Sequence, residues 1–144
     1  MKYTLELEIN LPRNRVIELF DNPDNLKKWQ PDLISFEHLS GEAGQVGAKS
    51  RLRYRTGKRE FEMIETITVN KLPDEFSGTY EGKGFWNKVE NRFSESGADK
   101  TKWVLDSEFK VGGIMKIMSI FMPGLFKKQS LKFMKQFKEF AENA

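Results

Sequence analysis

At 144 residues, with no cysteine and a net charge of +3, the chain is sized for one domain whose core needs no crosslink or metal to close it. The lack of cysteine removes disulfides, thiolate metal sites, iron–sulfur clusters and cysteine nucleophiles together, and is compatible with a reducing compartment. The charge is uneven, because residues 112–144 carry six lysines against two glutamates while everything before them is slightly acidic.

Residues 3–9 alternate, with Tyr3, Leu5, Leu7 and Ile9 on one side, which predicts a half-buried strand. That stretch lacks the continuous apolar run of a signal peptide, so the protein is expected in the cytoplasm. Asn10-Leu11-Pro12 opens a helix in which Val16, Ile17, Leu19 and Phe20 fall at helical spacing, and Pro12 suits an early helical position where its missing N–H costs nothing. The helix ends near Asp21-Asn22-Pro23. A second short helix is expected over 24–29, with Leu26 and Trp29 on a common face and Pro31 stopping it. Period two returns at 33–39, ended by Ser40-Gly41-Glu42-Ala43-Gly44. Over 50–56, Arg51, Arg53 and Arg55 point one way, into water, and Leu52 and Tyr54 the other. Further strands are expected at 60–70, 76–81, 85–93 and 101–111, joined by turns at Gly57-Lys58, Leu72-Pro73-Asp74-Glu75, Gly82-Lys83-Gly84 and Ser96-Gly97-Ala98-Asp99. Connections this short make the strands antiparallel neighbours.

After Gly112-Gly113 comes a long amphipathic helix in two parts, broken at Pro123-Gly124. Ile114, Ile117, Met118 and Phe121 form its first apolar stripe; Phe126, Ser130, Phe133, Met134, Phe137, Phe140 and Ala141 form the second. Leu131 stands apart, among Lys127, Lys128, Lys135 and Lys138, and is expected on the exposed side. The lysines read as a solvated face without the interleaved aromatics of a nucleic-acid platform; contact with an anionic membrane is the alternative. The apolar stretch 111–126 contains Lys116 and is shorter than the roughly 20 residues that span a bilayer.

A lone long helix after a strand meander has to bury its apolar stripe on the concave face of the sheet. The expected fold is therefore α+β: a single domain over 1–144, with a curved antiparallel sheet of six to seven strands wrapped around a long C-terminal helix and two short helices after the first strand. The residues Ile9-Asn10-Leu11-Pro12, Val16, Leu19-Phe20-Asp21-Asn22, Leu26, Trp29 and Pro31, the glycine-rich turn at 41–47, the strand–turn–strand at 66–76 around Leu72-Pro73, and the last strand at 101–109 carry a resemblance over essentially the whole chain. In these features it resembles the START-like or SRPBCC superfamily, the helix-grip, polyketide cyclase/dehydrase-like fold with Bet v 1-like architecture. The resemblance implies a cavity between sheet and helix. Members include plant hormone and lipid carriers, ring-closing cyclases and hydroxylase subunits, so the fold does not choose among them.

Alternation places Leu52, Phe61, Met63, Ile67, Val69, Phe76, Phe85, Val89, Phe93, Trp103, Leu105 and Phe109 inward, joined by Met118 and Phe121 from the helix. The same phase turns Tyr54, Glu65, Tyr80, Asn87, Asn91 and Ser107 inward. Tyr54, Met63, Glu65, Phe76, Tyr80, Phe85, Asn87, Val89, Asn91, Trp103, Leu105, Ser107, Met118 and Phe121 are thus the expected ligand-binding set. Glu65 interrupts an apolar strand face, where a carboxylate requires partners or a raised pKa. Two readings stand open: Glu65 faces the interior, or a β-bulge shifts the phase, puts it in solvent and turns Ile64 inward.

His38, the one histidine, excludes a multi-histidine metal centre and reads as a surface or satisfied core residue. No nucleophile elbow or phosphate-cradling glycine loop is present, so neither metal nor cofactor is expected. The first function expected is a non-enzymatic carrier or sensor of a small hydrophobic molecule, a lipid or an aromatic, polyketide-like compound. The second is a cyclase or dehydratase-like enzyme in which Glu65, Tyr54 or Asn87 positions protons. The third is an adaptor that leans its basic helix and the Met115, Ile120 and Met122 flank on a membrane or protein, with an exposed apolar patch near Pro123.

Overall fold

The computed structural model describes residues 1–113, 116–117, 120 and 124–144. Alternation at the N-terminus gives β1 (Lys2–Ile9), with Leu5 and Ile9 buried between exposed Thr4, Glu6 and Glu8. Pro12 caps α1 (Arg13–Phe20) instead of entering it. It is extended, and its carbonyl accepts from the Arg15 and Val16 amides at 3.0 and 3.1 Å. A cap position takes non-helical ψ, which proline adopts freely. The expected second helix starts as a 3-10 turn (Pro23–Asn25), where the Asn22 side chain accepts the Asp24 amide at 3.0 Å, and continues as α2 (Leu26–Trp29). Buried Asn25 donates to the Leu19 carbonyl at 3.1 Å and fastens this turn to the end of α1.

An antiparallel meander comes next: β2 (Leu33–Ser40), β3 (Lys49–Thr56), β4 (Arg59–Lys71), β5 (Glu75–Gly82), β6 (Phe85–Gly97) and β7 (Lys100–Val111). β1 adds beside β7, so the described residues form a seven-stranded sheet in the order β1-β7-β6-β5-β4-β3-β2. α1 and α2 consequently carry the chain from one edge of the sheet to the other. The largest difference from the sequence reading is at β6, which runs to Gly97 instead of stopping at Phe93.

The terminal helix, α3 (Leu125–Glu142), buries Phe126, Met134, Phe137 and Ala141, the spacing of one helical face. Leu131 differs from its expected place: it is half-buried on the flank of the core, while Lys127, Lys128, Lys132 and Lys135 are exposed. Tyr3 fixes the start of α3 to β1, its hydroxyl lying 3.0 Å from the Phe126 carbonyl and 2.5 Å from Ser130 Oγ. Ile114, Met115, Met118, Phe121, Met122 and Pro123 lie outside the described residues. Ile117 and Ile120 are 55% and 67% exposed. No helix of the described residues is long and apolar enough to cross a membrane.

The arrangement is a helix-grip fold, and its interior is solid at one end. There Leu5, Ile9, Val16, Leu19, Trp103 and Phe137 form a cluster between β1, β6, β7 and the helices. Phe20 sits edge-on to Phe93, Trp103 and Phe137 at 5.0, 5.9 and 5.5 Å, and Trp29 meets Phe133 and Phe137 at 4.7 and 5.1 Å. Such edge-to-face contacts suit the ring quadrupoles and lock the short helices to α3.

Candidate ligand cavity

Beside that core the sheet and the helices enclose a cavity of about 940 Å³. Residues directly opposite across antiparallel strands share a face, so the wall can be traced row by row. One row is polar. His38, Ser50, Glu65, Tyr80 and Asn87 are successive cross-strand partners from β2 to β6, and all five line the cavity. The flanking rows are not: Leu52 pairs with Met63 on one side, and Ile67, Gly78 and Val89 run in register on the other.

Of the two readings of Glu65, the inward one holds, although the strand does contain a bulge. The register shift lies between Ile67 and Val69, beyond Glu65, so Phe61, Met63, Glu65 and Ile67 keep one phase. Past the shift the phase is reversed: Asn70 pairs with cavity-lining Phe76, and Val69 with Ser77, which turns Val69 to the outer face. Glycine at 78 answers the bulge, since a Cβ there would come within 2.9 Å of the Thr66 carbonyl oxygen. Tyr80 donates its hydroxyl to Glu65 Oε2 at 2.8 Å. Burial raises the Glu65 carboxyl above its ordinary range, and the Tyr80 hydrogen bond offsets only part of this. Burial and the nearby Glu65 charge likewise push the Tyr80 and Tyr54 hydroxyls upward.

The remaining polar candidates are largely engaged with the protein. Tyr54 donates to Gln30 at 2.6 Å and stacks on Phe61 at 5.2 Å. The Asn87 amide donates to Ser107 Oγ at 2.8 Å and to the Glu108 carbonyl at 3.1 Å. Asn91 donates to the Phe76 carbonyl at 3.2 Å and accepts the Trp103 indole at 3.0 Å. His38 Nε2 sits 2.8 Å from the Gly41 carbonyl, a satisfied turn residue at the end of the polar row.

Tyr54, Met63, Glu65, Phe76, Tyr80, Phe85, Asn87, Val89, Asn91 and Leu105 line the cavity. Trp103 and Ser107 do not. Trp103 is fully buried in the solid end of the core together with Phe93, and Ser107 is buried behind Asn87. Met118 and Phe121 lie outside the described residues. Sequence reasoning missed the roof, formed by Phe20, Leu26, Trp29 and Gln30 together with Phe126, Ser130 and Phe133 of α3. It also missed Ser50, which the alternation with Leu52 and Tyr54 was able to find. Phe61 is on the expected face yet 47% exposed, and exposed Arg59, Glu60 and Lys83 stand with it in the lining. Among the described residues no group of histidine or acidic side chains could hold a metal ion.

No family model matches the sequence, and a comparison with curated proteins returns no match. Solved structures match over nearly the whole chain. The Zhui aromatase/cyclase from Streptomyces sp. R1128 superposes with a TM-score of 0.80 at 13% identity, covering 99% of this chain and 93% of its own. A START superfamily protein from Mycobacterium smegmatis gives 0.79 at 13% identity, covering 99% and 97%. Norcoclaurine synthase from Thalictrum flavum, solved in complex with dopamine and hydroxybenzaldehyde, gives 0.73 at 14% identity, covering 97% and 85%. Likeness at this level of identity establishes the START-like fold.

Proposed function

We propose that the chain binds a small, mostly apolar molecule in the cavity and acts as its carrier or sensor. The observation that carries this reading is the contrast within one interior. One end is close-packed around Trp103 and Phe137, whereas the other keeps about 940 Å³ of space beside a sheet wall in which the polar row from His38 to Asn87 runs between apolar rows. Close packing is the default for protein interiors, and a void of this size falls in the range of ligand pockets, roughly 300–1,000 Å³. The polar row would orient the ligand, and the rows of Leu52, Met63, Ile67 and Val89 would hold its apolar body.

Native mass spectrometry of freshly purified protein, followed by denaturing extraction, tests the reading. A stoichiometric apolar adduct is expected; a clean mass equal to the polypeptide, with no added hydrophobic compound retained, would sink it.

One observation favours an enzymatic alternative of the cyclase or dehydratase kind. Burial lifts the Glu65 carboxyl above its ordinary range and Tyr80 hydrogen-bonds it inside a pocket, an arrangement suited to a group that passes protons. Tyr54 and Asn87 add little to it, since their donors are already taken by Gln30, Ser107 and Glu108. His38 stands two strands away, about 10 Å at ordinary strand spacing, and is bonded to its own turn. The carrier reading needs no second proton donor and is preferred. A turnover of the bound compound that Glu65→Gln abolishes would reverse that preference.

A further inference from the structure

We infer that the molecule held in the cavity carries an amine, bound as an ammonium against the free oxygen of Glu65; this rests on the cavity-binding reading above. The inference comes from a missing partner. Tyr80 occupies Oε2 of Glu65, and Oε1 receives no hydrogen bond among the described residues, yet it is not sealed from the space around it. No cation of the described residues pairs with this carboxyl.

Arg59, Lys83 and Lys132 border the cavity but are exposed and none pairs with Glu65, and the neighbouring strand carries further cations. Arg51, Arg53 and Arg55 of β3 all lie on the outer face, where they pair with Glu37, Glu62 and Glu60. Asp21, Asp32 and Glu60 also border the cavity but are exposed to water, whereas Glu65 is drawn into the strand wall and left with a phenol and an open oxygen. An unpaired carboxylate in an apolar wall is costly, and an opposite charge within a few ångströms removes most of that cost. A charge-assisted N–H···O bond to Oε1 would supply the missing partner, and the apolar rows on either side would hold the hydrocarbon or aromatic body. A ligand hydroxyl could satisfy the hydrogen bond but not the charge. A ligand carboxylate would place like charges together.

A matched series separates these chemistries: decylamine, decanol, 2-decanone and decanoate, titrated by calorimetry at neutral pH into the wild-type protein and into Glu65→Gln. The wild type is expected to bind decylamine on the order of tenfold more tightly than decanol or 2-decanone, with decanoate weakest. Glu65→Gln is expected to erase the preference for the amine, so that decylamine and decanol bind it with similar affinity, and a cooperative melting curve shows that the variant is folded. Equal affinity of the four compounds, or an amine preference that survives Glu65→Gln, would overturn the inference and leave cavity binding standing. Failure of every compound to bind the wild type would overturn both.

Discussion

Burial in the cavity wall raises the Glu65 carboxyl above its ordinary 4.5, so ionising it costs the folded protein more than the unfolded chain. A group with a raised folded pKa contributes fully below its unfolded value and loses that contribution as pH rises through the folded one. Glu65→Gln keeps an acceptor for Tyr80 and removes the penalty. The variant is expected to melt higher than wild type at neutral pH, with the difference fading as pH falls towards 4.5, which paired melting curves across pH would read. Asn91 behaves differently, because its amide ties Phe76 to Trp103. Asn91→Ala should destabilise by about 1–3 kcal/mol, the cost of orphaning a buried indole donor and a carbonyl, as measured by urea unfolding. Alternation left the direction of Glu65 open between the interior and a bulge-shifted outer face, and its partner was not legible at all. Which residue stands opposite another depends on strand register, and no single strand's sequence encodes that.

At the level of elements, alternation and turn residues placed the strands because each has one buried and one exposed face, and helical periodicity placed α1 and α3 for the same reason. Val69 shows where this fails. One extra residue between Ile67 and Val69 reverses the phase, and nothing in Ile67-Thr68-Val69 marks it. The signal sits on the neighbouring strand, in Gly78, whose missing side chain lets the bulged backbone approach. Gly78→Ala should therefore force the Thr66 carbonyl away and destabilise by about 1–3 kcal/mol, with amide shifts in NMR spectra concentrated in β4 and β5. In α3 Phe126 borders the cavity, while Met134, Phe137 and Ala141 pack the solid end. Phe137→Ala opens a void among Phe20, Trp29 and Trp103 and is expected to cost about 3–5 kcal/mol in denaturant unfolding. Leu131 was misplaced because its lysine neighbours suggested a wholly solvated stripe; the edge of the apolar arc is wider than the face that α3 buries completely.

Across the whole molecule, the order of elements implied a helix gripped by a sheet, and the implication holds because a lone amphipathic helix has one place to bury its stripe. That the interior divides into a packed half and a hollow half was not legible. Trp103 and Leu105 alternate on one strand as equivalents, yet Trp103 is sealed in the core while Leu105 also borders the cavity. The difference arises from α1, which brings Val16 and Leu19 over one end of the sheet, with Phe20 and Trp29 at the border between the two halves. This division supplies its own control for the claim that the hollow half takes a small apolar ligand. The most direct measurement is a methyl NMR titration with decylamine. Shifts are predicted for Met63, Ile67 and Val89 at the cavity, with Ile9 and Val16 in the packed half unmoved. Shifts confined to exposed Ile117 and Ile120, or none at all, would contradict the claim.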